Sequence, residues 1–185
     1  MRKTIGAIAV VGALSAAIPA FAASPKAAEA PKPAEITNVI KADAPYGTGS
    51  LRMLFMSAYD AALWTDASRW SMQSPFAISM IYHFRCDASD IVDRAIDEMS
   101  HANPNLDTAT LAHYRSLIAG VFPAVKSGDE MTALSTPDGT VKFFHDGQET
   151  GQVHDASFAQ AFFGIWLSPD TSEPNLRAKL LHLDT

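Results

Sequence analysis

Cysteine is almost missing from this chain: Cys86 is the only one in 185 residues. An internal disulfide framework is therefore impossible, and a packed core must hold the molecule together. A single thiol in an exported protein is either buried and inert or bridged to another molecule. Cys86 follows a β-like apolar stretch, which favours the inert thiol. Cationic side chains are also scarce, with 14 Lys and Arg against 20 Asp and Glu and a net charge of −6. That balance excludes the basic footprint needed to grip nucleic acid or an anionic membrane.

Several chemical signatures are missing too. The six histidines contain no His-x-x-x-His pair, so no metal centre is expected. His145 and His154 bracket the last hairpin, where His145 should face Gln148 and His154 should lie opposite Gly139, too far apart to share an ion. No Gly-x-Ser-x-Gly elbow marks a serine hydrolase. Gly47 and Gly49 precede a β-like run rather than a helix, so they do not form a phosphate loop. Asp97-Glu98 and Asp129-Glu130 are sequence neighbours whose side chains diverge, unlike a glycosidase pair. No cofactor is called for.

What is present begins with an export signal. Arg2 and Lys3 precede an apolar run from Ile5 to Ile18, shorter than the roughly 20 residues of a membrane span. Ala20-Phe21-Ala22 is a small-x-small cleavage site, so residues 1–22 are expected to be cut off after Ala22, leaving a periplasmic or secreted protein without a stable membrane anchor. Arg2 and Lys3 leave with them, which takes the side-chain charge to −8 over 163 residues. Ala23 to Pro33 is rich in Ala, Pro, Lys and Glu, and residues 23–45 read as a flexible linker. One domain is expected over residues 46–185.

Within that domain the hydrophobic period alternates between 2 and 3.6. Gly47 and Gly49 read as the turn into a strand that starts near Leu51 and runs toward Trp64. Phe76 to Phe84 alternates as a strand with at least one buried side. Asp87 to Ala102 carries one helical stripe, Ile91, Val92, Ala95, Ile96 and Met99, which leaves Asp93, Arg94, Asp97 and Glu98 on a solvated face. A second helix starts at Asp107 or Thr108. Strands follow at Glu130 to Ser135, Thr140 to His145 and Gln148 to Val153, the last two joined by an Asp146-Gly147 hairpin. Asp155 caps a phenylalanine-rich helix, and Ser172 with Pro174 opens a last one. Antiparallel hairpins with segregated helices make an α+β fold.

Two segments about 100 residues apart carry a more specific signal. One is Gly47 to Trp64, with its glycines, Arg52 and Tyr59. The other is Asp155 to Leu167, with Phe158, Phe162, Phe163 and Trp166. Between and after them come Gly128-Asp129, Pro137-Asp138-Gly139-Thr140, Asp146-Gly147 and Leu176 to Leu181, in order. The set resembles the bacterial chalcone isomerase-like family from about Gly47 to Leu181. The resemblance implies the chalcone isomerase-like fold, a large antiparallel sheet with helices packed on one side and a ligand cleft between them. It also implies a choice among chalcone isomerases, fatty-acid-binding relatives and exported bacterial relatives, which the fold alone does not make.

Ring closure by the plant enzymes needs donors where negative charge develops. Arg52 is the match to their arginine. Their other polar positions fall near Tyr59, Ile91, Glu98 and Phe158, and the loss of hydroxyls at Ile91 and Phe158 argues against chalcone chemistry. The candidate site is therefore Arg52 and Tyr59 as catalytic or anion-holding groups, with Tyr82, Phe158 and Phe162 joining them around a small-molecule ligand. Seven residues apart on one straight strand, Arg52 and Tyr59 would face opposite ways and meet only across a bulge. The expected function is to hold a small amphipathic or acidic ligand, a fatty acid or an aromatic acid. The alternative is an isomerase or intramolecular lyase. The export reading predicts that the intact mass of the protein recovered from the periplasm or medium corresponds to a chain starting at Ala23. A mass that still includes residues 1–22 contradicts it.

Overall fold

The computed structural model describes residues 32–53 and 56–183. The expected signal, its cleavage point and the first part of the linker lie outside the described residues. The elements are β1 (Gly47–Met53), β2 (Met56–Thr65), β3 (Phe76–Tyr82), α1 (Ala88–Ala102), α2 (Thr108–Ile118), β4 (Glu130–Ser135), β5 (Thr140–His145), β6 (Gln148–His154), α3 (Ala156–Leu167) and α4 (Pro174–Leu181). The six strands form one antiparallel sheet in chain order. This is the expected α+β architecture.

Alternation along the strands sends two sets of side chains to two faces. Ala61, Leu63, Phe76, Ile78, Met80, Ala133 and Phe143 pack under the helices. Ala62, Trp64, Ala77, Leu134 and Phe144 form a second, smaller core on the other face. That face is covered by the N-terminal segment, where Ile36 and Ile40 are fully buried. Residues 34–42 are thus packed rather than a free part of the linker expected over 23–45. Asp66 fixes the end of the segment, because its Oδ1 accepts the backbone N–H groups of Lys41 and Ala42 at 2.7 and 2.6 Å. The apolar spacing Ile36, Val39, Ile40 lies inside a Pro- and Lys-rich stretch whose composition hides it. Cover on both faces explains why all seven residues of β3 are buried.

The start of the domain also differs from expectation. Gly47 and Gly49 do not make a turn. They lie within β1, which pairs with β2 so that Leu51 faces Tyr59 and Arg52 faces Ser57, with a bulge between Leu51 and Arg52. Arg52 and Tyr59 therefore sit on neighbouring strands, and the parity argument for a single strand does not apply. The glycines let α4 lie directly on β1. A Cβ at Gly47 would stand 2.3 Å from the Leu180 carbonyl oxygen, and one at Gly49 would stand 2.6 Å from Leu176 Cδ1.

Other local signals hold as read. Asp107 accepts the Thr110 N–H at 2.7 Å, and Asp155 accepts those of Ser157 and Phe158 at 2.8 and 3.0 Å. Both are N-caps that satisfy otherwise orphan donors. Asp146 and Gly147 both take positive φ, 48° and 78°, as a tight hairpin turn requires. Ser172 does not cap α4, because Glu173 occupies that position.

Two predictions follow from the packing. Gly47→Ala should destabilise the fold by about 1–3 kcal/mol in urea denaturation, the usual scale for overpacking, since backbone atoms of α4 block the new methyl group. Unchanged stability would mean that α4 does not lie on β1. The second concerns Glu130, on the face covered by the N-terminal segment. Burial, then repulsion from Glu35 and Asp146, pushes its carboxyl up to about 7. Between the normal glutamate value and 7, the folded chain keeps a proton that the unfolded chain has released, so this group's contribution to stability falls as pH rises through that window. Glu130→Gln should therefore be more stable than the parent at pH 8 by about 1 kcal/mol, allowing for partial solvent screening. The gap should close toward pH 5. A difference independent of pH contradicts the assignment.

Candidate functional site

Near the bulged ends of β1 and β2, the sheet, α1 and α3 enclose a cavity of about 280 Å³. Leu51, Met80, Phe122, Phe162 and Ile165 give it apolar walls. Polar groups are few and gather in two places. Tyr59, Arg94, Glu98, Ser172 and Glu173 lie at one, while Cys86 and Asp90 lie together at the other. An apolar space with a small number of placed polar groups is the usual form of a small-molecule site.

Tyr59 is the centre of the polar set. The Trp166 indole N–H donates to its Oη at 2.9 Å, so a residue of α3 fixes a side chain of β2 across the cavity. Tyr59 faces Tyr82 in the register of β2 and β3, and their ring centroids are 5.8 Å apart. Burial raises both phenols well above their ordinary value; for Tyr59 the Trp166 hydrogen bond only partly offsets this. Both are therefore neutral hydroxyl donors at physiological pH, not bases. The Tyr82 side chain is only 8% exposed and lines the cavity beside Tyr59.

The charges are largely committed to one another. Arg94 Nη2 lies 2.6 Å from Glu98 Oε1, one helical turn along α1. The Ser172 hydroxyl donates to Glu98 Oε2 at 2.5 Å. Burial, then repulsion from Glu98, raises the Glu173 carboxyl. Burial, then the nearby Asp90 and Asp87, raises the Cys86 thiol, which keeps it protonated and a weak nucleophile.

Of the residues expected at the site, Tyr59, Tyr82 and Phe162 line the cavity together. Phe158 does not. It is fully buried in the core, with its ring 5.4 Å from that of Tyr114 and 5.6 Å from that of Phe162. Arg52 is exposed beyond the bulge and is not among the lining residues. The lining cation is Arg94, on the face of α1 read as solvated. Arg94 and Glu98 flank the Ile91–Ala95 stripe one turn apart, and that flanking position was the available signal. Nothing local could have paired Trp166 with Tyr59, which are 107 residues apart.

A second polar cluster sits where β4 begins and β5 ends. His145 Nε2 is 3.1 Å from Asp129 Oδ2 and 3.7 Å from Asp146 Oδ2. These carboxylates already hold backbone, with Asp129 accepting the Lys126 N–H and Asp146 the Glu130 N–H. They staple the turns. His145 pairs with Gln148 as expected, while His154 pairs with Thr140 rather than Gly139, because of a bulge after Phe143.

Comparison with known proteins agrees with this geometry. No curated relative matches the chain in sequence. A crystal structure of a fatty-acid binding protein from Arabidopsis thaliana superposes with a TM-score of 0.57 at 8% identity, covering 75% of this chain and 86% of that one. At that identity the likeness is one of fold. The family model described as chalcone isomerase-like matches residues 46–182. With most of its length matched, from the strand that carries the paired glycines to the end of α4, the chain belongs to the chalcone isomerase-like family.

Proposed function

We propose that this protein, exported and trimmed after Ala22, binds one small amphipathic molecule in the cavity between sheet and helices. The observation that carries the reading is the cavity itself, about 280 Å³ of mostly apolar space beside a buried Tyr59–Trp166 hydrogen bond. An apolar body gains by leaving water for such a space, at roughly 25 cal/mol per Å². A polar end finds the Tyr59 and Tyr82 hydroxyls. The Arabidopsis neighbour is named as a fatty-acid binding protein, which supports ligand binding in this fold and leaves the ligand of this chain to its own residues.

Arg52 enters this account only as a group outside the cavity, so Arg52→Ala should leave ligand binding unchanged. Nile red, a neutral apolar fluorophore, is a suitable probe. It should brighten on binding at one site per chain. Ala95→Trp, which fills the cavity from the half-buried edge of α1, should weaken that binding about tenfold or more while the far-UV circular dichroism is retained. Equal affinity of Ala95→Trp and the parent places the dye elsewhere and removes the reading.

A further inference from the structure

We infer that the polar end of the ligand is a hydrogen-bond donor without negative charge, an amine or an alcohol on an apolar body, and that a carboxylate is disfavoured. This rests on the cavity-binding reading above and names the ligand class for the same site.

Formal charge in the lining points this way. Three carboxylates, Asp90, Glu98 and Glu173, stand against one guanidinium, Arg94. That guanidinium is already paired with Glu98 at 2.6 Å. The Glu98 side chain is only 13% exposed, and its second oxygen is taken by Ser172. A carboxylate ligand would have to share the Arg94 guanidinium with Glu98 and would meet the negative charge of Glu98 itself. It would then sit beside Glu173.

Glu173 is the uncommitted charge at the Tyr59 end of the cavity. Its carboxylate has no ion-pair or hydrogen-bond partner among the described residues, although Glu98 stands close enough to repel it. Arg94 is near enough to attract it but is paired with Glu98, so an ammonium or alcohol on the ligand would supply the partner Glu173 lacks. The two tyrosines complete the match. Trp166 donates to Tyr59 Oη, which polarises the Tyr59 O–H into a stronger donor. The Tyr82 side chain, only 8% exposed, lines the same space. An alcohol oxygen accepts from a tyrosine and donates to Glu173. An ammonium group donates to Glu173 and to a tyrosine oxygen.

Isothermal titration with decylamine, 1-decanol and decanoate at pH 7.5 tests this, because the three share one chain and differ in the head. Decylammonium should bind at least tenfold tighter than decanoate, with decanol between them. Glu173→Gln should shrink the decylammonium preference to about threefold or less. Decanoate binding as tightly as the other two, or more tightly, overturns the inference and leaves the binding reading standing. Failure of all three to bind, by the wild-type protein, overturns both. If Glu173→Gln does not fold, the ranking on the wild-type protein still decides.

Discussion

A helix that is apolar all the way round has to be surrounded, and α3 is such a helix. Nine of its twelve residues are buried. Phe163 meets Phe76 of the sheet with ring centroids 4.5 Å apart, and Phe162 meets Phe143 at 5.2 Å. On its outer side α1 closes over it. Asn103, just past α1, donates to the Ala161 carbonyl at 3.2 Å, and Ser168, just past α3, donates to the Ala102 carbonyl at 3.1 Å. The sheet must present a broad apolar face, α1 must run alongside, and α4 must return to β1. Two glycines in β1 allow that return.

The cavity is where the enclosure is incomplete. At Phe158 the aromatic side chains of α3 are packed solid. At Trp166 the indole packs against Phe162 but sends its N–H to a tyrosine hydroxyl. The Trp–Tyr hydrogen bond gives the indole N–H its partner and leaves space beside it. The charged groups that close this end come from α1 and from the segment before α4, so their mutual pairing decides the sign of charge a ligand meets.

Most of the fold was legible because its elements advertise themselves locally. Asp107 and Asp155 cap helices, Asp146-Gly147 turns a hairpin, and β3 alternates cleanly. Two features were not legible. Gly47 and Gly49 look like turn residues, but they are strand residues made small by a helix more than 120 positions away. Ile36 and Ile40 look like part of a linker until the second face of the sheet is seen to need cover. Of the aromatic residues along the cavity, Tyr59 and Phe162 were singled out from the family segments and Tyr82 from strand alternation. Arg52 was not placed correctly, because a hairpin and a bulge carry it away from the cavity. Arg94, Glu98 and Glu173 were missed because flanking charges on an amphipathic helix, and one carboxylate in a loop, normally face water.

The central claim is that a ligand occupies the cavity beside Trp166 and the paired tyrosines. The three tryptophans allow a direct measurement by following the indole N–H resonances in a two-dimensional NMR titration with 1-decanol. Trp166 lines the cavity, while Trp64 donates to Ser79 at 3.0 Å in the opposite core. Saturable movement of the Trp166 signal with Trp64 unmoved is the result the account predicts. A Trp166 signal that stays fixed while decanol binds, or a larger response at Trp64, would contradict it.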